Sequence, residues 1–275
     1  MKIDIESYKK NGFLHLREFF KIDDVKKVYN DARHVFYKQF VELKYTSQSF
    51  SQLNDHEYNS FLYKLFIDDN QRFINCGKQV QHLISLHSLS LNGKILNLLN
   101  ELGFTFPSIS TRPVLFFNHP KLAKDKVYHT VDSHQDWRSM QGSLDSVVIW
   151  IPLLNIGKDL GALEILPGSH LDGLRTDHIE SGFGMVQLTE IEKEQLLSVE
   201  VEIGDILLFS SFLIHQSGNN ITDEPRWSCH FRYNNLDEKT FIERKYAHAY
   251  LYKPIDELIT EGFPSLDNIK SIFEI

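Results

Sequence analysis

The chain has 275 residues, 42% of them hydrophobic and 12% aromatic, which is ample for a well-buried core and makes a globular fold the expectation. A formal net charge of -8 with 24% charged residues leaves no basic stripe to track a phosphate backbone, so nucleic acid is excluded as an expected partner. The opening MKIDIESYKKNGF lacks a signal-peptide core, and no stretch approaches the roughly 20 apolar residues that span a bilayer, so a cytoplasmic protein without membrane association is expected.

The first hundred residues carry helical periodicity. In KIDDVKKVYNDARHVFYKQFVELK, the residues Val25, Val28, Tyr29, Ala32, Val35, Phe36 and Phe40 recur at three- and four-residue steps, with Asp23 or Asp24 as N-cap. Helices are also predicted near residues 70 to 88, from Phe73, Val80, Leu83 and Ile84, and near 92 to 102, from Ile95, Leu98, Leu99 and Leu102, with Gly103 as the stop.

From about residue 112 the signals become short β-branched or aromatic runs divided by turn residues: PVLFFN, DSVVIWIPL, ALEILPG, GDILLFSSFLIHQS and RWSCHFRYN. VVIWIPL and ILLFSSFLI are apolar almost throughout, which predicts strands buried on both faces, in two packed sheets or a barrel flanked by helices. The alternation of Tyr246, His248, Tyr250 and Tyr252 in KYAHAYLYK reads as an edge strand or an aromatic lid.

No linker or repeat separates the two halves. The expected class is α+β with a mainly β core, as one domain over residues 1–275. Within it, about 1–108 are helical support, about 109–253 the β core, and 254–275 a C-terminal tail with a short helix.

Only two cysteines occur, Cys76 and Cys229, without a CxxC pair, so any bound metal must rest on histidines and carboxylates. In SHQDWRSMQG, a strand over 133 to 137 would turn His134 and Asp136 to one face, within reach of one ion. A third donor, His215, ends an apolar strand just before the turn-forming Ser217, Gly218, Asn219 and Asn220. Two imidazoles and one carboxylate on an octahedral ion leave three positions free, the arrangement associated with non-haem Fe(II) oxygenases.

Arg226 lies eleven residues beyond His215, on the expected next strand of a tight hairpin, and a guanidinium there offers a bidentate clamp for the far carboxylate of a keto acid. Strand parity in RWSCHFRYN places Arg226, Ser228, His230 and Arg232 on one face and Trp227, Cys229 and Phe231 on the other. Arg232 is therefore a rival cation, and Cys229 reads as a small core hydrophobe. Arg138 and Gln141 are placed in a loop near the mouth of the site.

The order YKKNGFLHLREFF, HQDW (134 to 137), GALEILPGSH (161 to 170), GDILLF (204 to 209), HQSGNN (215 to 220) and RWS (226 to 228) resembles the phytanoyl-CoA dioxygenase family of Fe(II)- and 2-oxoglutarate-dependent oxygenases. The resemblance implies a double-stranded β-helix, a jelly-roll and cupin-like barrel buttressed by N-terminal helices. It implies His134, Asp136 and His215 as catalytic iron ligands, with Arg226 and Ser217 on the distal carboxylate of 2-oxoglutarate. Gln135, Trp150 and Phe116 would line the co-substrate pocket, and Arg138, His230 and Arg232 are second-tier substrate contacts.

Fe(II), with 2-oxoglutarate and O2 as co-substrates, would then oxidise an aliphatic C–H bond of a small molecule, with release of succinate and CO2. A carboxylate at Asp136, where related halogenases have a small residue, argues for hydroxylation or another oxygen-derived oxidation. Without a Lys/Arg cluster for a CoA nucleotide, the expected substrate is a natural-product, amino-acid or carbohydrate-like metabolite. The expected protein is a monomer or homodimer. Two competing readings are a cupin-like metal-dependent isomerase or hydrolase, which leaves Arg226 without a carboxylate to hold, and a non-catalytic metal-binding barrel.

Overall fold

The side chain of Asp4 accepts from the Ser7 N–H and opens helix α1 (Ile5–Asn11); Gly12, in the left-handed region at φ 79°, closes it and turns the chain directly into strand β1 (Phe13–Leu16). The computed structural model describes residues 3–122, 131–175, 178–180, 183–248 and 262–273. Helix α2 (Ile22–Glu42) buries Val25, Val28, Ala32, Phe36 and Phe40, the stripe its periodicity predicted, although its N-cap is Lys21 rather than an aspartate.

Helix α3 (Asp55–Asp68) starts on a capping box between Asn54 and Glu57 and buries Tyr58, Leu62, Leu65 and Phe66. The single helix predicted near 70 to 88 is instead two, α4 (Asn70–Gln79) and α5 (Ile84–Ser90), parted by a tight turn over 80–82. Gln81 explains the break: its amide donates to the Leu115 carbonyl at 2.7 Å and accepts the Leu115 N–H at 2.7 Å, satisfying a free strand edge. Ile84, expected in the core, is 80% exposed. Helix α6 (Gly93–Glu101) follows, capped by Asn92.

The β core begins with β2 (Pro107–Ile109) and β3 (Val114–Asn118), then the one-turn helix α7 (Trp137–Met140), β4 (Val147–Pro152) and β5 (Leu163–Ile165). The hairpin β6 (His178–Glu180) and β7 (Phe183–Met185), helix α8 (Glu190–Glu194), and strands β8 (Leu197–Val199), β9 (Ile206–Ser210), β10 (His215–Ser217) and β11 (Arg226–Asn235) complete it. Helices α9 (Lys239–Glu243) and α10 (Leu266–Phe273) follow, and the Phe273 ring of α10 returns to Tyr8 of α1, 6.1 Å between centroids.

The larger sheet runs β1-β9-β4-β11-β2, with β3 also paired to β11; the smaller runs β10-β5-β8. All pairings are antiparallel, and single bridges from His134 to His215 and to Met185 attach the β6-β7 hairpin to β10. The two sheets face each other as the jelly-roll core of an α+β fold.

Register assigns each face. Trp227, Cys229, Phe231, Phe117, Ile151 and Leu208 turn outward into one core cluster with the helices, where Trp227 stacks on Phe117 at 4.4 Å and Phe36 meets Phe117 edge-on at 5.4 Å. Val148, Trp150, Leu207 and Phe209 turn inward and pack against Ile156, Leu163, Ile165, Val199 and Val201. The near-continuous apolar runs thus come from strands covered on both sides.

GDILLFSSFLIHQS does not form one strand. β9 stops at Ser210, residues 211–214 carry the chain to the opposite sheet, and His215 opens β10 there rather than ending the apolar strand. Arg226 is consequently not on the second strand of a tight hairpin: β10 pairs with β5, and β11 lies in the larger sheet. In KYAHAYLYK, Tyr246 sits in a turn at φ 56° with its ring edge-on to Phe241, while Tyr250 and Tyr252 lie outside the described residues. Among the described residues no helix is long and apolar enough to cross a membrane.

One buried acid yields a stability prediction. Asp145 accepts from Asn235 Nδ2 at 2.8 Å, yet burial, with Glu238 adding to it, pushes its carboxyl from 3.8 up to about 6. The folded chain therefore holds this proton more tightly than the unfolded chain, and ionisation destabilises the fold as pH rises from about 4 through 6. Asp145→Asn is expected to raise stability by about 1–3 kcal/mol at pH 8 and to change it little at pH 4, read from urea midpoints at the two pH values.

Candidate active site

The three metal-ligand candidates come from two segments laid side by side. His134 N–H donates to the His215 carbonyl at 3.0 Å and His215 N–H to the His134 carbonyl at 3.1 Å, so the two residues are direct cross-strand partners with rings 4.2 Å apart. Asp136 reaches the same place by another route than strand parity. Residues 133–137 are not a strand; Asp136 is the N-cap residue of α7, at φ −62° and ψ −30°, and the turn swings its carboxylate back toward the imidazoles. Donor atoms of His134, Asp136 and His215 all lie within 4.8 Å of one another.

Backbone carbonyls set the tautomer of both histidines. His134 Nδ1 lies 2.7 Å from the Asp132 carbonyl and His215 Nδ1 lies 2.9 Å from the Leu213 carbonyl. A carbonyl only accepts, so each Nδ1 carries the proton and each Nε2 keeps its lone pair. Burial, reinforced by neighbouring His134, pushes the His215 imidazole down to about 3, so it is neutral at physiological pH. Burial alone would raise the Asp136 carboxyl, but the Arg232 guanidinium bonded to both its oxygens holds it well below the usual carboxylate range. The neutral His215 imidazole, a second imidazole whose Nδ1 is likewise held by a carbonyl, and one carboxylate oxygen fit a divalent transition metal.

Arg226 occupies the same inner face. It is 2% exposed, its Nη2 donates to Ser217 Oγ at 3.1 Å, its Nη1 donates to the Gly161 carbonyl, and its Nε meets no partner. No carboxylate pairs with it among the described residues, and burial lowers its guanidinium only to about 10, so it stays charged. A buried cation held by neutral groups is costly unless an anion joins it.

Gly161 lets this anchor form: it stands at φ 82°, and a Cβ there would meet the Gly218 carbonyl oxygen at 2.7 Å. Gly161→Ala is expected to cost about 1–3 kcal/mol, read as a lowered thermal midpoint.

The remaining expected site residues divide. Trp150, 1% exposed with its indole N–H unpartnered, lies on the inner face directly opposite His230, and Phe116, half-buried, has its ring 6.2 Å from that histidine. His230 is half-buried, and its desolvation, with the nearby Arg232 guanidinium, drives its imidazole to the neutral form.

Gln135 does not face this space. Its amide donates to the Gly173 and Phe212 carbonyls at 2.8 and 2.6 Å and accepts the Arg175 N–H at 2.7 Å, so it braces two loops instead. Arg138 and Gln141 are buried rather than in an open loop: Arg138 lies in α7 against Gly184 of β7, and Gln141 ends that helix in the left-handed region at φ 49°.

Arg232, expected to touch substrate, pairs with Asp136 through Nε to Oδ2 and Nη2 to Oδ1, both 3.1 Å. The partners are 96 residues apart. Parity gave the arginine's face, but no spacing in the sequence announced its partner.

Comparison with known proteins agrees with this geometry. The family model described as phytanoyl-CoA dioxygenase matches residues 8–228. A phytanoyl-CoA dioxygenase domain-containing protein 1 homolog of Dictyostelium discoideum is 26% identical over 258 residues, covering 82% of this chain and 89% of that protein. The 1-deoxypentalenic acid 11-beta-hydroxylase of Streptomyces arenae is 32% identical over 100 residues, 34% of this chain and 35% of that one. The crystal structure of the epimerase SnoN in complex with Fe3+, alpha-ketoglutarate and nogalamycin RO superposes with a TM-score of 0.58 at 16% identity, over 95% of this chain and 90% of that chain, which shows a shared fold.

Proposed function

Since the chain belongs to the phytanoyl-CoA dioxygenase family and is an Fe(II)- and 2-oxoglutarate-dependent oxygenase, we propose that His134, Asp136 and His215 hold its iron and that Arg226 with Ser217 anchors the distal carboxylate of 2-oxoglutarate. The observation that carries this reading is the buried, acid-free Arg226 on the sheet face that also presents Arg232 to the Asp136 carboxylate. When bound, iron with 2-oxoglutarate and O2 supplies oxidation of an aliphatic C–H bond, with release of succinate and CO2.

The chain's own residues supply position and dryness. His134 and His215 offer Nε2 because Asp132 and Leu213 hold Nδ1–H, and Asp136 offers an ionised oxygen because Arg232 balances its charge. Arg226 Nε and the Trp150 indole N–H are donors left for the co-substrate. Val148, Leu207 and Phe209 wall the same face and keep water from it.

The substrate is a small-molecule metabolite of natural-product type. What supports this is a relative named as a 1-deoxypentalenic acid hydroxylase and a neighbour of the same fold solved with nogalamycin RO, together with the formal net charge of -8. An isomerase or hydrolase using the three ligands alone would leave Arg226 buried without an anion.

Anaerobic addition of Fe(II) and 2-oxoglutarate to the purified chain tests the reading. A weak charge-transfer band toward the red end of the visible spectrum is expected in wild-type protein and absent from His134→Ala. Iron-loaded wild-type protein without the band would sink it.

A further inference from the structure

We propose that Arg232 is a positioning residue whose guanidinium fork restricts Asp136 to one metal-facing oxygen, an inference that rests on the assignment of Asp136 as a ligand. The two contacts, Nε to Oδ2 and Nη2 to Oδ1, are both 3.1 Å, and the side chains are 8% and 5% exposed. They are the only side-chain hydrogen bonds that Asp136 makes among the described residues; although it stands at the N-cap position of α7, it makes no capping bond.

The two carboxylate oxygens are inequivalent. Both accept from Arg232, but Oδ1 also lies 3.7 Å from His134 Nε2, turned to the imidazoles, while Oδ2 takes the Nε arm of the fork. Arg232 itself is fixed on β11, between β4 and β2, directly opposite Val148. A carboxylate free to rotate can chelate an ion through both oxygens and take a second coordination position. Two histidines and a one-oxygen carboxylate leave three positions, two for a chelating keto acid and one for dioxygen. Pinning Oδ2 therefore protects the third position. A lysine ammonium, a point charge without the planar fork, can keep the charge but cannot hold both oxygens.

Mn(II) is the probe, with exchangeable water on the bound ion counted by water-proton relaxation and the bound fraction by EPR. In wild-type protein carrying Mn(II) and 2-oxoglutarate, about one exchangeable water is expected. Arg232→Met and Arg232→Lys are both expected to keep Mn(II) but to lose that water, and without 2-oxoglutarate to show about one third fewer waters than wild type.

Wild-type water counts in both variants would overturn the proposal. So would a wild-type count in Arg232→Lys alone, which would assign the role to charge, and so would loss of Mn(II) binding by the variants, which would make Arg232 necessary for assembling the site. If Arg232→Met does not fold, Arg232→Lys carries the test alone. Failure of wild-type protein to bind Mn(II) would instead remove Asp136 and its partners as ligands, a separate and distinguishable result.

Discussion

Asp136→Ala protein supplied with Fe(II), 2-oxoglutarate and air is expected to form succinate at least about a thousandfold more slowly than wild type, a loss of about 4 kcal/mol in barrier terms. The substitution removes the one anionic ligand candidate and also strands Arg232, which is 7% exposed and bonded to both oxygens of that carboxylate. Removing one member of a buried pair costs about 3–5 kcal/mol of stability, so the thermal midpoint should fall as well. Asp136→Asn keeps the shape and one acceptor for Arg232. It should fold nearer to wild type while remaining inactive, which separates lost chemistry from lost fold. Wild-type succinate formation by a folded Asp136→Asn protein would remove Asp136 from the ligand set.

Arg226→Met is expected to raise the 2-oxoglutarate concentration for half-saturation by about 100-fold, because a charge-assisted bidentate contact inside a dry barrel contributes about 2–3 kcal/mol. Its effect on stability should be far smaller, within about 1 kcal/mol. The substitution deletes donors to Ser217 Oγ and Gly161, but it also removes a buried charge that no acid among the described residues balances. Titration of the anaerobic iron complex with 2-oxoglutarate, followed by its visible band, gives the half-saturation directly. An unchanged value would move the carboxylate anchor elsewhere.

How much of this was legible in the sequence depends on whether the signal was local. The stripe of α2 and the inner and outer faces of β11 follow from periods of 3.6 and 2 within one element, and the structure keeps them. Helix α3 carried an equally local signal, the Asn54 and Glu57 capping box followed by Tyr58, Leu62, Leu65 and Phe66, which sequence reading passed over. The break between α4 and α5 was not local: it exists because Gln81 finds a strand edge 34 residues away.

The site shows the same division. His134, Asp136, His215 and Arg226 were nameable because their residue types and order carry the resemblance, but the local geometry invoked for them was partly wrong. Asp136 reaches the imidazoles through the turn into α7, and His215 does so because the chain changes sheets after Ser210. The resemblance implied Gln135 as a pocket residue, whereas three backbone partners from two loops claim its amide. Arg232 faced the right way by parity, and only the folded chain reveals that its partner is the carboxylate itself.

The most direct measurement is a crystal structure of wild-type protein grown anaerobically with Mn(II) and 2-oxoglutarate. The ion is expected on His134 Nε2, Asp136 Oδ1 and His215 Nε2, with the distal carboxylate of 2-oxoglutarate against Arg226 and Ser217. An ion seated away from these three residues, or a 2-oxoglutarate whose distal carboxylate avoids Arg226, would contradict it.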